Sequence, residues 1–392
     1  VSNGNMLVNF VSRIVSFTMI KDVTAIRIGF VTFGLHTAII LAALFLIGDL
    51  PSREAAGFIN PSAAGAPPLV EKFIKWDAHW YTYIAEHGYN LQSIVFFPLI
   101  LLLIKLLAGF GLSYVTAGFI LCNLFTFISF YLMAKTFLLN FPEIEVKKAL
   151  IAYALLPTSF FLNSVYTESI FIVFALASLY CLRTRSWWSA GLFAALTALC
   201  RNLGILLVPV ILWECIVYYR QKRKVTINMI AVLLPLIALS GFCLYNYLLF
   251  ADPLAFVHSQ QAWGRRFGLP WDNFWNNVNL VVAGVPSLEV GVYLDAVLVA
   301  LAFIALLAVT VIPAFRLPWT YTLLGWFWFF VPMFSTSPIY PLYSMARFVL
   351  VILPVYLFLA KLPDAVFYCL ITMSAVGLLV CTGLFINWAW LG

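Results

Sequence analysis

Charge is scarce in this chain. Only 9% of its 392 residues are Asp, Glu, Lys or Arg, while 64% are hydrophobic. An ordinary soluble domain carries about a quarter charged residues, so a soluble globular protein is excluded. Paired cysteines are lacking as well. The seven present, at 122, 181, 200, 215, 243, 369 and 381, lie within or at the ends of apolar runs, without the spacing of a zinc site or a disulfide framework. No polar stretch is long enough for a separate soluble domain. The formal net charge of +7 does not point to nucleic acid, because the basic residues sit in short loops between apolar runs.

Those runs are what the chain does have. A crossing helix needs about 20 apolar residues. Candidates lie at 28–49, 114–138, 149–164, 166–182, 188–200, 203–219, 227–250, 291–314, 319–335, 346–361 and 365–387. The expectation is an all-α polytopic membrane protein, one membrane domain over 1–392 with about 11 transmembrane helices. The run at 28–49 is too long for a signal-peptide core and is read as a retained span.

Two segments are ambiguous. Residues 94–110 carry Lys105 in the middle, and 188–219 is too long for one span and is interrupted at Arg201-Asn202-Leu203-Gly204. The positive-inside rule decides between the readings. If 94–110 only dips into the outer surface and 188–219 is two short helices meeting near Arg201, most of the 22 lysines and arginines fall on one face. They include Lys135, Lys147, Lys148, Arg183, Arg185 and the run Arg220–Lys224. If both segments cross singly, the bias disappears. The first reading puts the amino terminus in the cytoplasm. It gathers an outer loop at 50–113 with interfacial helices, the turn Tyr166-Thr167-Glu168-Ser169, the Arg201 break, a second outer loop at 251–290 and Arg347 on one outer face.

Asp77 is the residue that most needs explaining. Read as a helix ending at Gly88, the stretch after Lys72 puts Lys72, Lys75, His79 and Glu86 on one side. Asp77, Tyr81 and Ile84 fall on the other. An acid on the apolar face of a membrane-surface helix is costly unless it points into a polar cavity. One positioned carboxylate there suffices as a general base toward an acceptor hydroxyl; the alternative is a first-turn acid that merely stabilises its helix. Glu168 begins a span after Pro157 breaks the previous one, and either binds an acceptor, assists the base or belongs to a helix cap. Arg201 and Asn202 sit where broken helices at membrane depth line cavities and suit a phosphate, unless the arginine snorkels to the surface. Arg347 either holds a lipid phosphate or binds anionic headgroups. Arg265-Arg266 beside Trp263 reads as interfacial anchoring, and Asp252-Pro253 as a turn. Asp77, His79, Glu86 and His87 have no convincing metal spacing, and no metal or cofactor is expected.

With these residues in view, the chain resembles a known family. Trp76-Asp77-Ala78-x-x-Tyr81-x-x-Ile84-Ala85-Glu86-His87-Gly88-Tyr89, then Phe96-Phe97-Pro98-Leu99, is similar to the PIG-V family of mannosyltransferases. The likeness continues through Leu156-Pro157-x-x-Phe160-Phe161, Tyr166-Thr167-Glu168-Ser169 and Arg201-Asn202-x-Gly204, and more loosely Ser344-x-x-Arg347-Phe348. It covers about residues 70–350.

The resemblance implies a GT-C fold and an inverting transfer of a sugar, mannose in the family, from a dolichyl- or undecaprenyl-phosphate donor. The acceptor would be a hydroxyl of a glycolipid or glycan. It implies Asp77 as catalytic base. Arg201, Arg347, Lys72 and Lys75 are the expected contacts to the donor phosphate. Trp76, Tyr81, Glu86, His87, Tyr166, Glu168 and Asn202 are the expected contacts to acceptor or donor sugar. Membrane lipids are the remaining expected partners, and nucleic acid is not one. The compact chain and short loops fit a prokaryotic relative with an outward-facing site in the cell membrane; a eukaryotic one would sit in the endoplasmic reticulum. The rival readings are a transporter or flippase of lipid-linked sugars, against which no internal repeat is visible, and a non-catalytic subunit of an envelope-building complex.

Overall fold

The computed structural model describes residues 2–48, 51–55, 57–284 and 288–392, with side chains from residue 22 onward. It is almost entirely helical. The first helix, α1, runs Ser2–Ile47, and its apolar stretch Asp22–Ile47 is the first of six segments among the described residues that are long and apolar enough to cross a membrane. The region expected as the first outer loop then supplies α2 (Pro68–Lys72), α3 (Asp77–His87) and α4 (Pro98–Ala108). At 1.5 Å per residue, the 11 residues of α4 reach about 16 Å, half the hydrocarbon core. Alone it is too short to cross.

The next helices are α5 (Tyr114–Phe137), α6 (Glu143–Leu155), α7 (Glu168–Arg183) and α8 (Trp187–Cys200). Pro157 ends the α6 run, so the expected span over 149–164 is divided by a turn and a short 3₁₀ segment at Ser159–Leu162. Proline has no N–H for the helical ladder and disfavours helix in the residue before it. The chain breaks again at Arg201, whose backbone is extended (φ −154°, ψ 148°), before a 3₁₀ turn at Asn202–Leu206 and α9 (Leu207–Lys222). This is the two-helix arrangement expected of 188–219.

The remaining elements are α10 (Leu234–Phe250), α11 (Ala255–His258), α12 (Pro270–Val282), α13 (Val290–Val311), α14 (Trp319–Met333), α15 (Met345–Leu350), α16 (Leu353–Ala360) and α17 (Asp364–Ile386). The run expected as one span over 346–361 is therefore two short helices, parted just ahead of Pro354. Two-residue strands β1 (Arg266–Phe267) and β2 (Ser335–Thr336) pair antiparallel and tie the second outer loop to the end of α14.

Packing explains the order. α7 lies against α5 and α8, α8 against α10, and α1 against α5 and α17. The centre is filled by aromatic side chains with no exposed surface, among them Phe130, Phe137, Tyr153, Phe160, Phe161, Phe171 and Tyr356. The perimeter is apolar too. Phe45, Leu46, Ile237 and Leu248 stand 62–86% exposed along crossing-length helices, as lipid-facing residues do. The protein is an integral membrane protein. The six long helices do not by themselves supply eleven crossings; the other expected spans correspond to helices of 6 to 16 residues.

Candidate functional site

Asp77 is positioned by a break in the chain. Residues 73–76 separate α2 from α3, and Trp76 takes a left-handed backbone (φ 52°, ψ −120°) at the position preceding the helix. Such a φ is costly for a bulky side chain and persists only where its surroundings enforce it. Here the indole Nε1 donates to the Ala389 carbonyl at 3.3 Å. Asp77 opens α3, and Tyr81, one turn on, shares its face toward the cavity. Burial raises the Tyr81 hydroxyl's pKa, so it stays protonated as a hydrogen-bond donor. Gly88, at φ 87°, ends the helix as expected.

The opposite face of α3 is covered at His79 as well. His79 is 3% exposed; its Nδ1 accepts the Asn60 N–H at 3.0 Å and its ring stacks 5.5 Å from Trp388. Burial first, and nearby Lys75 second, push its pKa down to about 4. Asn60 and Trp388 cover this side of the helix, and Lys72 lies outside it, in α2.

Four charged groups from distant parts of the chain then meet. Asp77 Oδ2 accepts from Arg347 at 2.9 Å. Arg347 Nε donates to Glu168 Oε1 at 3.0 Å, and Arg201 donates to the same oxygen at 2.7 Å. Glu168 begins α7 and has no exposed surface; its Oε2 has no partner among the described residues. The guanidiniums are flanked by aromatic faces, Arg347 over Tyr166 (4.6 Å) and Phe161 (5.4 Å), Arg201 over Phe348 (4.5 Å).

A fifth charged residue builds this arrangement. Tyr343 and Ser344 both have positive φ (40° and 72°), and buried Asp295 of α13 accepts the backbone N–H groups of Ser344 (3.2 Å) and Ala346 (2.6 Å). The strained turn is thereby clamped, and α15 starts where Arg347 faces the cavity.

That cavity holds about 600 Å³, the size of a small-molecule site. Of the expected residues, Trp76, Asp77, Tyr81, Arg201, Asn202 and Arg347 line it. Glu168 and Tyr166 stand behind its wall, the Tyr166 hydroxyl on the Lys75 carbonyl at 3.3 Å. Four expected contacts lie elsewhere. Lys72 donates to the Gly48 carbonyl at 2.7 Å. Lys75 is buried, 4.6 Å over the Trp388 ring and 3.8 Å from Glu71, and burial lowers its pKa. Glu86 and His87 sit at the far end of α3, where His87 stacks on Tyr83 at 4.5 Å.

The sequence reading undervalued other lining residues. Trp263 and Arg265, read as interfacial anchors, line the cavity, and Arg265 lies 4.0 Å over the Tyr343 ring. Their Trp-x-Arg pattern was visible, but the pairing with Tyr343 was not. Trp80, one of the two tryptophans beside Asp77, and Trp390, which no motif announced, complete an aromatic rim. Among the described residues, no group of three His, Cys, Asp or Glu side chains converges as a metal site would require.

Fold and site define an integral membrane protein with a carboxylate–arginine cavity among its helix ends. Residues 11–315 match the family described as mannosyltransferase (PIG-V), and the chain belongs to that family. It is similar to GPI alpha-1,6-mannosyltransferase 2 of Cricetulus griseus, 30% identical over 195 residues, which are 44% of this chain and 39% of that protein. The proteins of the same name from Rattus norvegicus (30% over 196 residues, 44% of this chain and 39% of that protein) and Mus musculus (30% over 191, 43% and 38%) are alike in extent. The chain thus aligns with about two fifths of the length of these curated relatives. No solved structure matches it.

Proposed function

We propose that this protein is an inverting mannosyltransferase that takes its sugar from a polyprenyl-phosphate donor and delivers it to a hydroxyl of a glycolipid or glycan. The observation that carries the reading is the placement of Asp77 on the cavity wall, ion-paired through Oδ2 to Arg347 at 2.9 Å with its side chain 30% exposed. Oδ1 has no partner among the described residues and is the atom available to a substrate proton.

Asp77 Oδ1 takes the proton of the acceptor hydroxyl as its oxygen attacks the anomeric carbon. The bond from that carbon to the phosphate oxygen breaks on the opposite face, and its electron pair leaves with the polyprenyl phosphate. Guanidinium groups on the cavity wall stabilise the charge that develops there. Tyr81 and the aromatic rim of Trp76, Trp80 and Trp263 offer a hydroxyl donor and flat apolar faces for sugar rings. The site opens on the outer face of a prokaryotic cell membrane, because that orientation keeps most lysines and arginines on the cytoplasmic side.

Sugar transfer from synthetic polyprenyl-phosphate mannose in nanodiscs tests this directly. Asp77→Asn keeps the shape and removes the base, so turnover should fall by about 10²–10⁴-fold while the melting temperature changes little. Full turnover in a folded Asp77→Asn protein would place the base elsewhere. No turnover by the wild type across a panel of acceptors would return the protein to a transporter or a non-catalytic subunit.

A further inference from the structure

We infer that Arg265, rather than Arg201 or Arg347, is the side chain that takes the phosphodiester of the lipid-linked donor. The inference rests on the mannosyl-transfer reading above and assigns one part of it.

The cavity and the wall behind it carry two carboxylates, Asp77 and Glu168, and three guanidiniums, those of Arg201, Arg265 and Arg347. Arg201 and Arg347 are held by those carboxylates, at 2.7 to 3.0 Å. Diverting either one to a ligand weakens the compensation of Glu168, a carboxylate with no exposed surface. An uncompensated buried charge is among the most costly defects in a fold. Arg265 is different. Among the described residues it has no carboxylate partner, so among the side chains of the cavity it is the one positive charge in excess. A sugar phosphodiester carries one negative charge, which matches that excess.

Geometry agrees. The backbone leading into Arg265 is fixed at several points: its N–H donates to the Gln260 carbonyl at 3.1 Å, and Gly264 makes the left-handed turn before it (φ 69°). Trp263 Nε1 is tied to the Gln92 carbonyl at 3.0 Å, and the Tyr343 hydroxyl donates to the Trp263 carbonyl at 3.2 Å. The Tyr343 ring lies under the guanidinium at 4.0 Å. Tyr343 also accepts a side-chain hydrogen bond from Arg265, and the remaining N–H donors of the guanidinium's five can serve an acceptor with two oxygens, which arginine binds well. Tyr343 also sits in the turn that delivers Arg347, so the phosphate ligand and the partner of Asp77 are placed by one short segment. Arg265 thus meets the leaving group, and Arg347 orients the base.

Binding measured on the full chain in nanodiscs separates the possibilities. The probes are polyprenyl-phosphate mannose and free polyprenyl phosphate, with uncharged polyprenol as control, and the readout is intrinsic tryptophan fluorescence. Arg265→Ala should weaken both phosphates by about ten- to a hundredfold, leave polyprenol unchanged and leave the melting temperature unchanged. Arg265→Lys should recover only part of the loss. Unaltered phosphate binding by Arg265→Ala overturns the assignment while leaving the transfer reading intact. A larger loss in an Arg201→Ala protein that melts like the wild type also overturns it. Wild-type protein that binds neither phosphate better than polyprenol overturns the donor class, and this assignment with it.

Discussion

Asp77 and Glu168 are both acids paired with arginine, yet their surroundings give them different work. Glu168 is sealed behind the wall and anchors two guanidiniums, whereas Asp77 keeps an oxygen toward the cavity. The importance of Asp77 was legible because an acid on an apolar helix face is expensive without a cavity. The burial of His79 was not legible because its cover, the Asn60 N–H and the Trp388 ring, comes from distant parts of the chain. The histidine provides a pH prediction. Its folded pKa, near 4, lies below the unfolded value of about 6.5, so between them the unfolded chain binds more protons. The contribution is complete above about pH 6.5 and is lost as pH falls toward 4, amounting to about 3 kcal/mol at most. Thermal unfolding across this range should show the acid-side loss in the wild type and a smaller one in His79→Gln. Equal slopes would mean that His79 is not held neutral.

At the level of elements, breaks in helices matter more than the helices themselves. The Arg201 break was legible from two apolar runs too short to cross comfortably, and the structure places it in the cavity wall. What keeps it tight is Gly204, where an added Cβ would lie 2.2 Å from the Thr197 backbone carbon. The obstacle is backbone, so it cannot swing aside. Gly204→Ala should therefore cost about 1–3 kcal/mol of stability and displace Arg201, lowering the melting temperature and transfer activity together. Wild-type melting and activity in this variant would show that the break tolerates a wider turn. The division at 351–352 was not legible, because the run from Phe348 to Ala360 is apolar throughout and only Pro354 hints at the interruption. Nor could the sequence show that Asp295, deep in α13, closes the Tyr343-Ser344 turn.

For the molecule as a whole, composition sufficed to show a helical membrane protein, and the distribution of basic residues located the cluster of polar groups. Asp77, Glu168, Arg201 and Arg347, all assigned to one face by charge bias, do meet. The number of crossings was less legible, since apolar runs of similar composition become helices of very different length. The proposed orientation can be checked in a background whose seven native cysteines are replaced. A cysteine at exposed Leu91, beyond α3, should react with a membrane-impermeant maleimide in intact cells. One at exposed Lys224, after α9, should react only once the membrane is opened. Labelling of both from the same side would refute the orientation.

Glu168 has one more consequence. Because a single oxygen accepts from both Arg201 and Arg347, neither arginine has an energy of its own. Removing the first leaves the second more tightly held, and removing both leaves the acid alone. The effects of the two changes will not add. Though far apart along the chain, the two positions form one cooperative unit in which the double substitution costs more than the sum of the single ones.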